Sequence, residues 1–560
     1  MQARFFPWRD RDNPLEWPHH EPEDTTRSDR RAPAHAMPLL RKAGLFLPLP
    51  LLFVAAAFLF AQAAGPFYLA YRYDPEYAYL LNGLNLVLGW RPEHIDHPGT
   101  PLQLCWALIL RFSQPTASGP ALEMHVLMGA EGYLQAVSTV FLLSYGLALV
   151  WLGVTVARLT GSRAAAWLAQ ATPFLLEDNF LLFLRVNPEP FLLLLGLALI
   201  PWLLRSALAD PPTGPLPLAL PSLLVATGLC LKITYVPIWL AVVFLLKGGQ
   251  ARAWFAGLTA AGCLLWTLPI VTQYPRFAAW VWGLAAHRGQ YGLGAAGWVH
   301  PMTYLAGLGS LLEQNRVFTV MLLVSLLTWG LSRRRAPDSE GGPVGRWRRL
   351  LAGLVLAQVA QLLIGAKNPQ SRYLAPAAAL VALNGVVILQ ILRASGRDGS
   401  PRLRRLGPLA ASLIAVVLLG ELGLRYSDVR GRARQHLALS ELTASPTAGA
   451  RIYYYGASSP VYARVFGSAF AGLHYSSAIE AALGPTPGRT LFLDNWRGIL
   501  YSLRGRIDPH ELNSIPGPIL LQGDYLSEPE RRRLPMTGTL TVLRRFEDET
   551  VYELRPNPRE

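Results

Sequence analysis

The sequence has few charged residues. Asp, Glu, Lys and Arg make up 16% of its 560 residues, whereas hydrophobic residues make up 52%. Soluble domains carry about a quarter charged residues. The scarcity of charge, together with repeated apolar runs of about 17–25 residues, argues against a soluble enzyme and predicts a polytopic membrane protein.

Cysteine is also scarce. Cys105, Cys230 and Cys263 all lie in apolar stretches, and none belongs to a CxxC pair. A disulfide framework or a thiolate metal site is therefore not expected, and small buried apolar side chains explain these residues.

Acidic residues are outnumbered by basic ones, 36 against 51, which gives a formal net charge of +15. In a soluble protein this excess would suggest nucleic-acid binding. Here Arg and Lys cluster in short segments between apolar runs, so orientation in a membrane explains them, and no nucleic-acid partner is expected.

The chain divides into three parts. Residues 1–42 are polar and lack an apolar core, which predicts a disordered cytoplasmic tail; no early apolar run indicates a cleavable signal peptide. Residues 43–425 carry apolar runs that predict about eleven transmembrane helices, with a first outer loop at 65–130. Residues 426–560 predict a small extracytoplasmic α/β domain.

The positions of Lys and Arg predict the orientation. They are densest in alternate loops such as 333–349 and 393–405. The positive-inside rule then places the N-terminus in the cytoplasm and the C-terminal domain outside a bacterial-type inner membrane. Two short runs, about 216–231 and 234–246, could form one bent span. Merging them would move the basic 333–349 loop outside, so two spans are predicted.

The C-terminal part changes from long apolar runs to short alternating elements. RIYYYG, TLFLDNW and PILLQGDYL predict strands, PVYARVFGSAF, YSSAIEAALG and EPERRRLP predict helices between them, and TLTVLRRF with ETVYELRP predicts a closing hairpin.

Residues 71–103, YRYDPEYAYLLNGLNLVLGWRPEHIDHPGTPLQ, carry unusually many titratable groups just after the first apolar run. The segment LLNGLNLVLGW and the later PLQLCWALILRF predict interfacial helices. Asp74 and Glu76 lie at the predicted outer surface, where a carboxylate can act as a general base. Asp74 followed by Pro75 also matches a helix N-cap, and both interpretations stay open.

His94, Asp96 and His97 lie within four residues of one another. With Asp74 they could bind a divalent metal, although their spacing is not that of a helical zinc site. The favoured interpretation is that they shape a turn and line a polar pocket.

A third group comprises Glu177, Asp178, Arg185, Asn187 and Glu189, between the third and fourth predicted spans. Ionisable groups at membrane depth are costly and are functional candidates by default. Arg185 and Glu189 are spaced by one helical turn, so a simple ion pair is the alternative.

Lys232 interrupts the apolar segment TGLCLKITYVP. Its ammonium group could snorkel to the membrane interface or meet an anionic phosphate. Further groups on the same predicted face are His287, Arg288, Lys367, Arg372 and Tyr373. Acids near the first loop and cations from later loops suit a substrate with a nucleophile at one end and a phosphate leaving group at the other.

In this order, the segments resemble the GT-C superfamily of polytopic glycosyltransferases, which includes protein O-mannosyltransferases and bacterial aminoarabinose transferases. YDPEYAYLLNGLNLVLGW takes the place of the family's acidic motif, with Asp74 matching its acidic residue and Glu76 one position off the common adjacent pair. HIDHPGTPLQ, RVNPEPFLLLLGLAL, LKITYVP and SRYLAPAAALVAL are similar to later family motifs. The resemblance covers about 45–425.

The resemblance implies an inverting sugar (hexosyl) transfer from a polyprenyl-phosphate donor to an extracytoplasmic glycan, lipid or protein of the cell envelope. Asp74 would be the general base, with Glu76 as a second catalytic carboxylate, and the cations would bind the lipid phosphate. The expected substrate-binding residues are His94, Asp96, His97, Arg185, Glu189, Lys232, His287, Arg288, Arg372 and Tyr373. Some members use a divalent metal, so metal dependence stays open. No nucleotide sugar is required, which agrees with the lack of a glycine-rich phosphate loop.

Two other functions remain as alternatives. A transporter or flippase of lipid-linked sugars would need polar residues deep in several spans and often pseudo-symmetric halves. A non-catalytic envelope assembly protein would use the C-terminal domain as a binding module.

Overall fold

The computed structural model describes residues 44–209, 213–288, 292, 294–335, 342–395, 401–444, 448–483, 489–495, 497–532, 534–536 and 538–556. Side chains at 177–179, 334–335, 401–419 and 529 are not described. The predicted cytoplasmic tail, residues 1–42, lies outside the described residues.

Helices dominate the described part of the chain. They are α1 (Pro48–Ala63), α2 (Glu76–Val87), α3 (Thr100–Ser113), α4 (Gly119–Met128), α5 (Ala130–Thr160), α6 (Arg163–Gln170), α7 (Pro188–Leu208), α8 (Pro215–Leu231), α9 (Val236–Leu245), α10 (Gly249–Thr267), α11 (Tyr274–Ala286), α12 (Pro301–Gln314), α13 (Arg316–Arg335), α14 (Pro343–Gly365), α15 (Ala375–Ala378), α16 (Val381–Ala394), α17 (Pro401–Ala444), α18 (Pro460–Phe470), α19 (Ser476–Leu483) and α20 (Glu528–Arg531). Short 3-10 helices lie at Thr172–Leu175, Glu177–Leu184, Ile233–Tyr235, Leu268–Gln273, Ser371–Leu374 and Pro509–Ser514.

Six helical segments among the described residues are long and apolar enough to cross a membrane. They are Ala130–Thr160, Pro188–Leu208, Gly249–Ala286, Arg316–Arg333, Pro343–Gly365 and Ser371–Ala394. Shorter apolar helices lie at Pro48–Ala63, Pro215–Leu231 and Ile233–Leu245. A polytopic helical membrane protein is confirmed, whereas the count of about eleven spans is not.

The predicted third span, about 164–176, is not one helix. Helix α6 ends at Gln170, and Pro173 lies in a separate 3-10 helix. Proline lacks the backbone N–H and disfavours a helical conformation in the residue before it, which explains the break.

The two short runs around Lys232 form separate helices with different neighbours. Lys232 itself is extended, with φ −159° and ψ 124°. Helix α8 packs on α10 and α7, whereas α9 packs on α14. This arrangement agrees with two elements rather than one continuous helix.

The C-terminal part contains a sheet of seven strands: β1 (Ala450–Tyr453), β2 (Arg489–Asp494), β3 (Ile499–Ser502), β4 (Gly505–Arg506), β5 (Ile519–Asp524), β6 (Gly538–Phe546) and β7 (Glu549–Pro556). Their order is β4-β3-β2-β1-β5-β7-β6. Strands β2, β1 and β5 are parallel, and the β6–β7 hairpin is antiparallel. The predicted C-terminal α/β domain is thus present, with a β3–β4 hairpin that the sequence did not indicate.

Helix α17 joins the membrane helices to the sheet. The predicted boundary at 425/426 falls inside this 44-residue helix. Helix α18 packs directly on α2, so close that a methyl group on Gly467 would lie 2.9 Å from the backbone oxygen of Tyr77. The C-terminal domain therefore contacts the segment that carries the first acidic motif.

Candidate functional site

The segment between α1 and α2 is fixed by Arg185, which follows the 3-10 helix Glu177–Leu184. The guanidinium donates to the backbone oxygens of Tyr71 at 2.9 Å and Asp74 at 2.6 Å. It also forms a bidentate ion pair with the buried carboxylate of Glu76, with Nη2 2.8 Å from Oε2. Burial opposes the positive charge, but Glu76 outweighs it and raises the pKa of Arg185. Arg185 is therefore held as a permanent cation.

A second buried arginine, Arg72, lies within the same segment. It donates to the backbone oxygen of Leu184 at 3.1 Å and lies 3.9 Å from the ring centroid of Phe67. Burial lowers the pKa of Arg72 to about 10, which leaves it charged at neutral pH. Arg185 and Arg72 thus stabilise the turn that ends at Asp74.

The carboxylate of Asp74 faces the C-terminal domain. The Tyr455 hydroxyl donates to Oδ2 of Asp74 at 3.0 Å, and Gly456 N donates to the Tyr73 hydroxyl at 2.8 Å. Helix α2 begins at Glu76, its N-cap is Pro75, and no side chain caps it. The N-cap interpretation of Asp74 is therefore wrong. The carboxylate of Asp74 is half-buried and does not cap the helix.

A second ion pair lies between the membrane helices. Lys232, only 5% exposed, pairs through Nζ with Oε1 of Glu189 in the first turn of α7. Its Nζ is 4.4 Å from the ring centroid of Tyr373. This burial excludes snorkelling of Lys232. The alternative Arg185–Glu189 pair is also wrong, because each residue has another partner.

Arg372 lies near the same aromatic ring. Its guanidinium carbon is 5.5 Å from the Tyr373 ring centroid, and Nε donates to Oε1 of Gln370 at 2.7 Å. Arg372 is half-buried, whereas Lys232 is buried. Tyr373 therefore lies near both a buried cation and one that still meets solvent.

His97 and Tyr79 connect the two ion pairs with Asp74. The pKa of His97 lies well below its ordinary value because of burial and the nearby positive charges of Lys232, His94 and Arg372. Burial raises the pKa of the Tyr79 phenol, and so do four surrounding carboxylates. These belong to Glu189, Asp96, Asp74 and Glu76. The predicted acids and cations therefore form one cluster.

Several buried polar atoms close in sequence to these residues have no hydrogen-bond partner among the described residues. They are both amide atoms of Asn187, Nδ1 of His97 and Oγ1 of Thr234. Asn187 lies two residues before Glu189, and Thr234 two residues after Lys232. Because buried polar groups are normally satisfied, such a concentration indicates the place of a ligand or of water.

His94 belongs to the wall of the cluster. Its ring makes edge contacts with Tyr79 at 5.1 Å and Phe470 at 5.2 Å, and Gln103 Nε2 donates to its backbone oxygen at 2.7 Å. Burial lowers the pKa of His94. In the part of the chain that the structure describes, no group of three His, Cys, Asp or Glu could hold a metal ion. Asp74, His94, Asp96 and His97 therefore do not fit a metal site.

The other predicted residues lie apart or are not described. His287 and Arg288 make local contacts: His287 Nδ1 is 3.1 Å from Gly294 O, and Arg288 N donates to Ala295 O at 2.9 Å. Lys367 donates to the carbonyls of Leu284 and Ala285 at the end of α11. The side chains of Glu177 and Asp178 lie outside the described residues.

Sequence reasoning missed Tyr79 and Tyr455. Tyr79 lies in the apolar segment of α2, where an aromatic residue is expected to pack rather than to meet four carboxylates. Tyr455 follows RIYY at the end of β1, and its position just beyond a strand and before a helix was the available signal. Its contact with Asp74 depends on how α18 docks on α2, which no sequence pattern gives.

No known protein family matches the sequence, and no curated protein matches it. Among solved structures, the chain is similar to the crystal structure of ArnT from Cupriavidus metallidurans bound to undecaprenyl phosphate. The TM-score is 0.44 and the identity 11%, with 90% of this chain and 97% of that chain covered. A similarity with this TM-score and identity carries no functional argument.

Proposed function

We propose that this protein is a GT-C-type membrane glycosyltransferase, which transfers a sugar from a polyprenyl-phosphate donor to an acceptor hydroxyl with inversion. The site would face the outside of a bacterial-type inner membrane, with the N-terminus in the cytoplasm. One observation carries the proposal: the half-buried carboxylate of Asp74 and Glu189, the partner of Lys232, both lie within electrostatic range of Tyr79, and Arg372 and Lys232 lie near the same ring, Tyr373.

The cluster has the charge distribution that the reaction needs. Asp74 would accept the proton of the acceptor hydroxyl, whose oxygen attacks the anomeric carbon of the donor sugar from the face opposite the phosphate. The carbon–oxygen bond to the phosphate breaks, and polyprenyl phosphate leaves with the bonding electrons. Arg372 and Lys232 would stabilise the negative charge that grows on the leaving phosphate.

Glu76 receives a different role from the catalytic one expected from the sequence. It is fully buried, with 0% of its surface exposed, and both of its oxygens face Arg185. Both oxygens are engaged by the buried Arg185, and loss of this pair would leave a buried charge without its partner. We therefore propose that Glu76 positions Asp74 through Arg185, which donates to the Asp74 backbone oxygen.

Asp74→Asn tests the proposal. The amide keeps the size of the side chain and can still contact Tyr455, but it cannot accept a proton. We expect transfer to fall by about 10²–10⁴-fold, the usual contribution of a general base. Transfer is measured as release of polyprenyl phosphate from a panel of polyprenyl-phosphate sugars in nanodiscs, with mass-spectrometric detection.

Glu93→Gln is the matched control. Glu93 lies in the same outer segment, but it is paired with the exposed Arg91 and Arg276. Its loss should leave transfer and folding unchanged, because exposed ion pairs contribute little. If Asp74→Asn retained wild-type transfer, Asp74 would not be the general base. If the wild type released no polyprenyl phosphate and both proteins moved lipid-linked sugars across vesicles equally well, a transporter would replace the enzyme.

A further inference from the structure

The C-terminal sheet contains a place where ligands typically bind. Its parallel strands have the order β2-β1-β5, so β1 has its successors on opposite sides. In open α/β sheets, ligands bind outside the carboxyl ends of the strands at such a switch in strand order. Here those ends are Tyr453 of β1, Asp494 of β2 and Asp524 of β5.

Gly456, in the turn after β1, allows the Asp524 carboxylate to approach the backbone of this turn. Gly456 has φ +88°, and a methyl group on it would lie 1.7 Å from Oδ1 of Asp524. The Asp524 backbone N–H donates to Tyr455 O at 2.7 Å. Only glycine fits here, so the Asp524 carboxylate lies directly against the Tyr455–Gly456 turn.

The surroundings of Asp524 disfavour its negative charge. Burial raises its pKa to about 7, and the carboxylates of Asp548, Glu549 and Glu530 add to the effect. A half-buried acid among other acids weakens the fold, and such arrangements are typical of functional sites. Acidic surroundings would also repel an anionic ligand.

Tyr455 packs at the margin of a buried cluster of aromatic rings. Tyr455 lies 6.2 Å from Phe466, and Phe492 lies 6.5 Å from Tyr462 and 5.6 Å from Tyr501. Tyr455 and Tyr501 are partly exposed. Aromatic faces beside a few polar groups are the usual lining of small-ligand sites, and carboxylates accept hydrogen bonds from hydroxyl groups.

This edge is continuous with the proposed catalytic carboxylate. Tyr455 donates to Asp74 while its backbone oxygen accepts from Asp524 N. The Tyr462 phenol interacts electrostatically with both Asp524 and Asp74. A ligand that contacts the exposed sides of both Tyr455 and Asp524 would therefore lie beside Asp74.

We propose that the carboxyl edge of the C-terminal sheet is the acceptor half of the site and binds a carbohydrate without acidic groups. Asp524 accepts hydrogen bonds from its hydroxyls, Tyr455 packs against it, and one hydroxyl reaches Asp74. This inference rests on the proposed glycosyl transfer and narrows the acceptor from glycan, lipid or protein to a glycan.

The test uses the full chain in nanodiscs and saturation-transfer NMR. The probes are methyl glycosides of glucose, galactose, mannose and arabinose, with methyl glucuronide and a serine-rich peptide as comparisons. At least one neutral glycoside is expected to bind, and the two comparisons are not. Asp524→Asn should weaken glycoside binding about tenfold or more, as expected for loss of a charged hydrogen-bond acceptor.

Two further variants sharpen the result. Glu553→Gln removes a carboxylate of the same sheet that pairs with Arg555, and it should change the dissociation constant by less than about twofold. Tyr455→Phe removes only the phenol oxygen that contacts Asp74. It should raise the acceptor KM and shift the pH profile of transfer, which a structural role alone would not do.

Three results would overturn the inference: no neutral glycoside binding, binding unaffected by Asp524→Asn, or preference for the peptide. Undecaprenyl phosphate binding is measured on the same samples by native mass spectrometry. If this lipid binds but no glycoside does, the acceptor inference fails alone. If glycosides bind through Asp524 but the lipid does not bind and the wild type shows no transfer, the proposed function fails.

Discussion

Glu76 and Glu189 each neutralise a cation inside the protein. Removing two charges from water costs free energy, and their mutual attraction offsets this cost only when both are present. Arg185 with Glu76 and Lys232 with Glu189 are both largely buried pairs. Removing one partner is therefore expected to harm the fold more than removing both.

The pair Glu189–Lys232 provides the first prediction. Glu189→Gln leaves Lys232 buried without a counter-charge, and we expect a loss of about 3–5 kcal/mol in the free energy of unfolding. The double variant Glu189→Gln, Lys232→Met should be less destabilised than the sum of the two single variants. Chemical denaturation in detergent measures the cycle, and strictly additive effects would contradict the ion pair.

Asp524 gives a pH-dependent prediction. Its pKa rises from 3.8 to about 7 on folding, so folding favours the protonated acid. Relative to Asp524→Asn, the wild type should therefore be equally stable near pH 4 and progressively less stable as the pH rises to about 8. Melting temperatures of both proteins across this range test the sign; a wild type that gains stability over the variant at high pH would refute it.

Sequence reasoning named all four residues of the two buried ion pairs, but not which residue pairs with which. Helical spacing suggested Arg185 with Glu189, but Arg185 is extended, with φ −98° and ψ 161°, and precedes α7. The two residues therefore do not share a helix face. Lys232 was recognised because a charge inside an apolar run is conspicuous, but its pairing with Glu189 depends on tertiary packing.

Helices α2 and α3 form the element that positions the first acidic motif. Their backbones approach at Gly83, where a methyl group would lie 2.3 Å from Cβ of Trp106 and 3.2 Å from the backbone of Ala107. Asn82 adds two hydrogen bonds: its Oδ1 accepts from Glu93 N at 2.7 Å, and its Nδ2 donates to Phe470 O at 3.0 Å. Helix α2 is thus buried between α3 and the C-terminal domain.

Gly83→Ala tests this close packing. Helix propensity alone would favour alanine by about 1 kcal/mol, but the clash with Trp106 should reverse the sign and destabilise by about 1–3 kcal/mol. Gly132→Ala in α5 is the control, because nothing lies within 4 Å of the added methyl group. Thermal unfolding distinguishes them, and a stabilised Gly83→Ala would show that α2 and α3 are further apart.

Element prediction succeeded where periodicity and turn chemistry were strong. The parallel strands and the β6–β7 hairpin follow the apolar segments in the sequence. Spans failed where proline interrupts an apolar run, as at Pro173. The β3–β4 hairpin was missed because its strands are four and two residues long and carry little pattern.

At the scale of the whole molecule, the C-terminal domain packs against the segment that carries Asp74. The loop after β1 contacts the first outer segment at three points: Ser458 Oγ accepts from Ala70 N, Gly456 N donates to Tyr73, and Tyr455 donates to Asp74. Glu549 anchors Ser458 from β7, accepting from its hydroxyl at 2.6 Å. The sequence predicted both parts but could not predict that they meet, because the contact joins residues more than 380 positions apart.

A structure of the full chain with a polyprenyl phosphate bound tests the central claim most directly. The proposed transfer predicts the phosphate within ion-pair distance of Arg372 and close to Lys232, on the side of the cluster that holds Asp74. The lipid chain would lie between the membrane helices. A phosphate bound away from these cations, or on the predicted cytoplasmic face, would contradict the proposed transfer.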